Sequence, residues 1–348
     1  NKLEYSFSNR KWLIDGAPAG THDEEAVKGF GYHLPGLFDR VIDIEKCWLQ
    51  QEPSNAIRLF IKDFTLEHKL SYYNVRAHEG LMRNVVIRCN GKGEFMVIVV
   101  INEENDLIRN VMIPEMQKRF PEIISIMLVI NNKFNDIITD LPFENVYGEE
   151  CLVETMKAPR EGYDDLRFRV GPVSFFQTNV YQGERLYRAA FDLADVKGDE
   201  LMYDLYTGTG TIALYFARFV KNVVGVEYVE EAIADAKINS EFNNINNVKF
   251  YAGDMAKVFT DEFIEANGRP DLVVTDPPRA GMHEKVVEQL LKIQPKKIVY
   301  ISCNPATQAR DLQLLDSSYE VKAVQPVDMF PHTHHVENIA LLELRVEN

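Results

Sequence analysis

From about residue 160 onward, short apolar runs alternate with helix-length amphipathic segments. "LMYDLY" precedes "TIALYFARF", and "NVVGVEY" precedes "VEEAIADAKINSEFNN". "VKFYAGD", "DLVVTDPP" and "KKIVYIS" are each followed by a further helical stretch, the last being "PATQARDLQLL". That alternation predicts an α/β fold of the doubly wound, Rossmann-like kind, a largely parallel sheet with helices on both faces. The final segments, "YEVKAVQPVDMF" and "NIALLELRV", joined by "PHTHHVE", predict a closing antiparallel pair. Before about residue 155 the pattern is mixed, α+β, with a strong β component. "RVIDI", "MRNVVIRCNGKGEFMVIVVIN" and "IISIMLVINN" carry β-branched and aromatic runs, and "CNGKGE" has the composition of a hairpin turn. "NAIRLFIKDFTLEHKLSYYN" repeats apolar residues at three- and four-residue spacing, so a helix is expected near 54–74. The expected organisation is a smaller β-rich central region, 1–158, followed by a catalytic α/β domain, 159–348.

Composition narrows the class. The chain has 348 residues, 46% hydrophobic and 26% charged, which fits a globular protein of two domains. No run approaches the roughly 18 apolar residues that cross a bilayer, so no membrane role is expected. The start resembles no signal peptide; it begins with Asn1 as though mid-strand, which reads as a fragment lacking its natural beginning. Cys47, Cys89, Cys151 and Cys303 are far apart with no CxxC spacing. A disulfide framework, a four-cysteine metal site or an iron–sulfur cluster is therefore not expected within these residues, and a reducing cytoplasm fits. The first three cysteines read as small buried apolar residues. A net charge of -15 opposes phosphate binding unless a local basic face supplies it.

In doubly wound sheets ligands gather at the carboxyl ends of the strands. "DLYTGTGTIAL" is a strand, a glycine turn and a helix start; Gly208 and Gly210 let a ligand approach the backbone, and amides near Thr211 lack helical partners. The spacing also matches the dinucleotide fingerprint and is weak alone. Glu227, ending the next strand, can accept hydrogen bonds from a ribose, which NAD and S-adenosylmethionine share. Asp254, ending "YAGD", can reach an adenine amino group. Carboxylates that merely cap helices are the competing explanation for each residue singly; their order along successive strand ends favours a nucleotide-like cofactor.

The next two strand ends carry different chemistry. Asp276 precedes Pro277 and Pro278, whose missing amide hydrogens and fixed φ make a stiff turn. Cys303 ends the fifth strand in "SCNP", and Glu337 stands just before the last strand. A thiolate, a carboxylate and S-adenosylmethionine together suit one reaction. Pyrimidine C5 is a poor nucleophile until a thiolate adds at C6; after methyl transfer a base must remove the C5 proton.

These motifs carry a resemblance. "SFFQTN", "DLYTGTGTIAL", "TDPPRAG", "SCNPATQARDL" and "PHTHHVENIALL" are similar, in order, to those of the bacterial RNA 5-methyluridine methyltransferases, which act on 23S rRNA and tRNA. "NKLEYSF" and "GFGYHLPGLFDRVIDIEKCWLQ" resemble that family's central β domain, which implies that region 1–158 contacts RNA. The resemblance implies Cys303 as nucleophile and Glu337 as base. It implies Gln177, Tyr206, Thr211, Glu227, Asp254 and Asp276 as S-adenosylmethionine contacts. Phe175 and Phe176 would wall a pocket for a flipped base, or simply pack in the core. Arg279 would meet a phosphate or the base, or else be a solvated turn residue. Many members also carry an N-terminal basic β-barrel and an iron–sulfur cluster on closely spaced cysteines; neither is present in these residues. RNA is the implied partner, 23S rRNA ahead of tRNA, because the central region resembles the ribosomal branch more than the compact tRNA enzymes.

Other classes fit less well. An exocyclic-amine methyltransferase usually has an aromatic residue where Arg279 follows the prolines, and needs no cysteine. A cytosine-C5 enzyme usually has prolyl-cysteine rather than "SCNP". A non-catalytic RNA-binding protein would not need both Cys303 and Glu337. His332, His334 and His335 lack helical metal-ligand spacing, so no metal is expected and a shaped turn around Glu337 is the better explanation. No obligate protein partner is evident, and a monomer is the default expectation.

Overall fold

The structure, a computed structural model, describes residues 1–12 and 27–345. It divides into two compact units, Asn1–Leu152 with Gly171–Val173, and Val153–Val170 with Ser174–Asn348.

In the first unit, β1 (Lys2–Ser8), β2 (Gly29–Leu34), β3 (Leu37–Ile42), β4 (Met82–Cys89), β5 (Phe95–Ile101), β6 (Ile123–Ile130) and β7 (Glu144–Gly148) form one sheet, ordered β3-β2-β1-β4-β5-β6-β7. Only β5 and β6 pair in parallel, and α2 (Ile113–Arg119) lies in their crossover. Every residue of β4 and β5 is buried because both faces of the sheet are covered. Ile57, Ile61 and Phe64 of α1 (Ser54–Glu67) pack with Val85, Ile87, Val97 and Val99 on one face; Leu141 and Phe143 pack against the other. The expected hairpin turn is present: Asn90 N–H donates to the Glu94 carbonyl at 3.1 Å, and Gly93 sits at φ 80°.

Helix α1 is shorter than its periodicity predicted, ending at Glu67 rather than near 74. Lys69 turns left-handed at φ 52°, and the Leu70 N–H returns to the Thr65 carbonyl. Beyond it Tyr72 is buried, bridges Met82 of the sheet, and shares a 2.8 Å hydrogen bond with the Thr65 hydroxyl. Burying that ring at the sheet outweighs another helical turn.

The second unit opens with a two-stranded pair, β8 (Leu152–Met156) and β9 (Leu166–Val170). Its main sheet holds β10 (Leu201–Leu205), β11 (Asn222–Glu227), β12 (Val248–Ala252), β13 (Leu272–Thr275), β14 (Lys297–Ser302), β15 (Tyr319–Val327) and β16 (Glu337–Leu344), ordered β12-β11-β10-β13-β14-β16-β15. The first five are parallel; β16 inserts antiparallel between β14 and β15, giving the predicted closing pair. Val346, the end of the expected last segment, lies outside the described residues. Alternate strand residues face opposite layers. Met202, Val299 and Ile301 meet α3 (Val180–Ala194), α4 (Thr211–Ala217) and α5 (Glu230–Phe242), whereas Tyr203, Ile298 and Tyr300 meet α8 (Glu284–Ile293) and α9 (Pro305–Leu315). The short helices α6 (Met255–Val258) and α7 (Asp261–Asn267) join β12 to β13. The strand order reverses between β10 and β13, and at such a switch point the loops part to leave a crevice at the carboxyl ends.

Candidate active site

Cys303 and Glu337 meet through strand register. Pairing of β14 with β16 runs from Lys297 opposite Glu343 to Ser302 opposite Asn338. Cys303 follows at a bend just past β14 and Glu337 opens β16, so both stand at this end of the pairing, near enough that the Glu337 charge acts on the Cys303 thiol. Gln308 of α9 fastens this end: its Nε2 donates to the Tyr300 and Asn338 carbonyls at 2.8 and 3.2 Å, and its Oε1 accepts from Asn338 Nδ2 at 2.6 Å. Glu337 is buried and Cys303 half-buried. Burial raises the Glu337 carboxyl above the usual range, with Arg279 opposing. Burial likewise pushes the Cys303 thiol up, Glu337 and Asp276 adding to it, while a hydrogen bond and the charge of Arg279 pull it back down.

Arg279 and Asp276 share one clamped turn. Asp276 N–H donates to the Leu205 carbonyl at 3.3 Å, anchoring the turn beside β10. The Arg279 carbonyl accepts from Asn304 Nδ2 at 3.1 Å and Thr307 Oγ1 at 3.0 Å, and Arg310 donates to the Ala280 carbonyl at 2.9 Å. Gly281 lies at φ 82°, and a Cβ there would come within 2.6 Å of Asp311 Oδ2. That same oxygen accepts from Met282 N–H at 2.8 Å and Tyr300 O–H at 2.7 Å. Helix α9, which follows Cys303 directly, thus grips the turn carrying the Arg279 guanidinium and the Asp276 carboxyl. Asp276 is pushed up to about 8, by burial first and then by the negative charges of Glu337 and Asp204. Asp204, fully buried at the end of β10, rises to about 7, chiefly through burial. These acids need a cation or a proton.

At the switch point Tyr206 takes φ 68°, an unusual conformation for a non-glycine residue, and its phenol is pushed up to about 12 by burial. A Cβ on Gly208 would meet nothing within 4 Å, so the backbone there faces open space. Glu227 accepts from Gly208 N–H at 3.1 Å and Val229 N–H at 3.0 Å, one donor per oxygen, leaving further lone pairs for hydroxyl groups. Asp254 caps α6 through Ala256 N–H, and Lys257 and that amide hold its carboxyl below the usual range. Thr211, buried, opens α4. Gln177 is buried and hydrogen-bonded to Tyr187, whose phenol is pushed up by burial and by the charges of Asp276, Asp204 and Glu337. Gly183 within α3 permits this, since a Cβ there would stand 3.0 Å from the Gln177 Cβ. A ribose acceptor, an open glycine turn and under-neutralised carboxyls make a donor set suited to a cationic nucleoside. S-adenosylmethionine fits.

The phenylalanine pair is split. Phe176 points into the core, 4% exposed and packed on Phe168, because alternation in an extended segment sends neighbours opposite ways. It cannot wall a base pocket where it stands. Phe175 is 68% exposed and free to do so. His334 and His335 lie with ring centroids 4.2 Å apart and planes tilted by 37°, and among the described residues no group of three or more metal-ligating side chains occurs. Sequence reasoning missed Tyr187, Asp204, Gln308 and Asp311. Asp204 alone left a signal, an acid inside an otherwise apolar strand; the buried positions Gln308, Asp311 and Leu315 of α9 show a helical stripe, but not what it faces.

The family model described as tRNA (Uracil-5-)-methyltransferase matches residues 148–345. A protein of Bacteroides thetaiotaomicron named an uncharacterized RNA methyltransferase is 52% identical over 99% of this chain and 75% of its own length. One of Porphyromonas gingivalis, named likewise, is 48% identical over 100% of this chain and 75% of its own length. Among solved structures, the Pyrococcus abyssi tRNA (uracil-54, C5)-methyltransferase in complex with S-adenosyl-L-homocysteine superposes with a TM-score of 0.76 at 32% identity, over 98% of this chain and 75% of that one.

Proposed function

Because the chain belongs to the tRNA (uracil-5-)-methyltransferase family, we propose that it methylates C5 of one uridine, in 23S rRNA, through a covalent Cys303 adduct. The enzyme is an S-adenosylmethionine-dependent RNA uracil-C5 methyltransferase. The nearness of Cys303, just past β14, to Glu337 at the start of β16 carries the mechanistic reading.

When bound, S-adenosylmethionine supplies an electrophilic methyl group. Gln177, Tyr206, Thr211, Glu227, Asp254 and Asp276 would hold it. Arg279 favours loss of the Cys303 proton by stabilising the thiolate. The sulfur forms a bond to C6, and the electron pair of the C5–C6 double bond moves onto C5 and O4. C5 is now nucleophilic enough to gain the methyl group. Glu337 takes the C5 proton; the freed C–H pair re-forms the double bond as the S–C6 bond breaks, returning the thiolate. Phe175, exposed beside the glycine turn through Thr209, and Arg279 would contact the flipped base or its phosphate.

RNA containing 5-fluorouridine tests this directly, because fluorine blocks the proton-removal step and strands the adduct. A denaturation-resistant protein–RNA species is expected, absent in Cys303→Ala. Glu337→Gln should accumulate adduct on ordinary RNA; turnover by that variant at the unaltered rate would remove Glu337 from the role of base.

The likeness of the central region to the ribosomal branch supports 23S rRNA. A tRNA substrate is the second reading, favoured by similarity to the Pyrococcus abyssi tRNA enzyme. Mapping 5-methyluridine in both RNA classes from cells lacking the gene separates them: the class that loses the base is the substrate.

A further inference from the structure

A chain of net charge -15 needs some local surface able to meet phosphate. Edge strand β3 of the first unit has one. Asp39 and Val41 point inward while Phe38, Arg40 and Ile42 point out, Phe38 being 61% exposed. The chain at Arg10–Trp12 runs along the free edge of β3, with Trp12 N–H donating to the Val41 carbonyl at 2.7 Å and Val41 N–H to the Arg10 carbonyl at 3.2 Å. This brings the exposed Trp12 ring to 5.9 Å from the Arg40 guanidinium. On the other side the Arg76 guanidinium lies 5.4 Å from the Phe38 ring. Asp39 holds both Arg76 and Arg10, at 2.7 and 3.2 Å; the carboxyl is shielded, whereas the two arginine side chains remain 58% and 51% exposed.

The result is two ring–guanidinium pairs, Trp12 with Arg40 and Phe38 with Arg76, and one sheltered acid that ties Arg76 to Arg10. Aromatic faces and guanidinium planes accept unpaired bases by stacking, and guanidinium forks bind phosphate. An apolar protein partner would leave the arginines desolvated without anions, so charge complementarity favours a polyanion.

We propose that the outward face of β3, Phe38 and Arg40 with Trp12 and Arg76, docks an unpaired stretch of RNA, bases stacking on the rings and phosphates meeting the arginines. This rests on RNA being the substrate. The test uses the 348-residue protein and a thirty-nucleotide oligouridine. Phe38→Ala should weaken binding about fivefold or more, as expected for one lost base stack. Arg40→Ala should weaken binding and flatten its dependence on salt by about 0.7 in logarithmic slope, one phosphate's worth. Phe134→Ala, an exposed phenylalanine off β3 whose ring packs on His78, should leave binding unchanged. Unfolding midpoints and S-adenosylmethionine affinity should stay at wild-type values in all three. Wild-type affinity in both β3 variants, or equal loss in Phe134→Ala, overturns the assignment. So does a change of oligomeric state on Phe38→Ala with RNA affinity retained, which would mark a protein-docking face. If the unaltered protein binds no oligouridine yet still forms the 5-fluorouridine adduct on cellular RNA, this surface is refuted while the enzymatic assignment stands. Failure of both takes the enzymatic assignment too.

Discussion

Asp311 ties the catalytic turn to α9, and its removal gives a graded prediction. The side chain is 1% exposed and accepts from Met282 N–H and Tyr300 O–H, both buried donors, as well as from Arg310. In Asp311→Ala two buried donors lose their acceptor, at about 1–3 kcal/mol each, or about 2–6 kcal/mol together. Arg310 adds little, since its side chain is 52% exposed and can rehydrate. Tyr300→Phe removes one donor to a carboxylate and should cost about 1.5–3 kcal/mol. The double variant should cost less than the sum, because a phenyl ring in place of the phenol leaves no donor to orphan there. Urea unfolding followed by circular dichroism is the assay; both tryptophans, Trp12 and Trp48, belong to the first unit and report on the wrong transition. Adduct formation by Asp311→Ala should also slow under conditions where the protein remains folded, because the Arg279 turn loses its anchor. Strict additivity of the two substitutions, or a loss in Asp311→Ala below about 1 kcal/mol, would refute the orphaned-donor reasoning.

Two further outcomes follow from the charges of the site. With Asp276 at about 8 in the free protein, its carboxyl is mostly protonated at pH 7, and a bound sulfonium cation favours the anion. S-adenosylmethionine binding at pH 7 should therefore release protons, S-adenosylhomocysteine fewer, and Asp276→Asn fewer than wild type, Asp204 supplying the remainder, read by calorimetry in buffers of different ionisation enthalpy. Because the Cys303 thiol is raised and only Arg279 pulls it down, adduct formation should climb with pH through and beyond neutrality. Arg279→Ala should move that profile to higher pH and Arg279→Lys should partly restore it; an unmoved profile in Arg279→Ala would remove the guanidinium from thiolate stabilisation.

The alternation of strands and helices after residue 160, the glycine turn and the identities of Cys303 and Glu337 were readable from the chain, because each depends on local periodicity or on a residue's own chemistry. Helix α1 shows where local pattern stops: its periodicity continued to Asn74, but Tyr72 found a sheet to join and the helix ended at Glu67. Phe175 and Phe176 were indistinguishable in sequence and are opposite in structure, one exposed and one in the core. Tertiary structure alone decided that Cys303 and Glu337, 34 residues apart, arrive at the same end of the β14–β16 pairing. It also decided that Gln308 and Asp311 brace the site and that Asp204 and Asp276 are buried together, each carboxyl raised by burial. Side-chain type and spacing are written along one dimension. Burial, register and the sum of charges at a point depend on which distant residues arrive there, and only the packed fold fixes that.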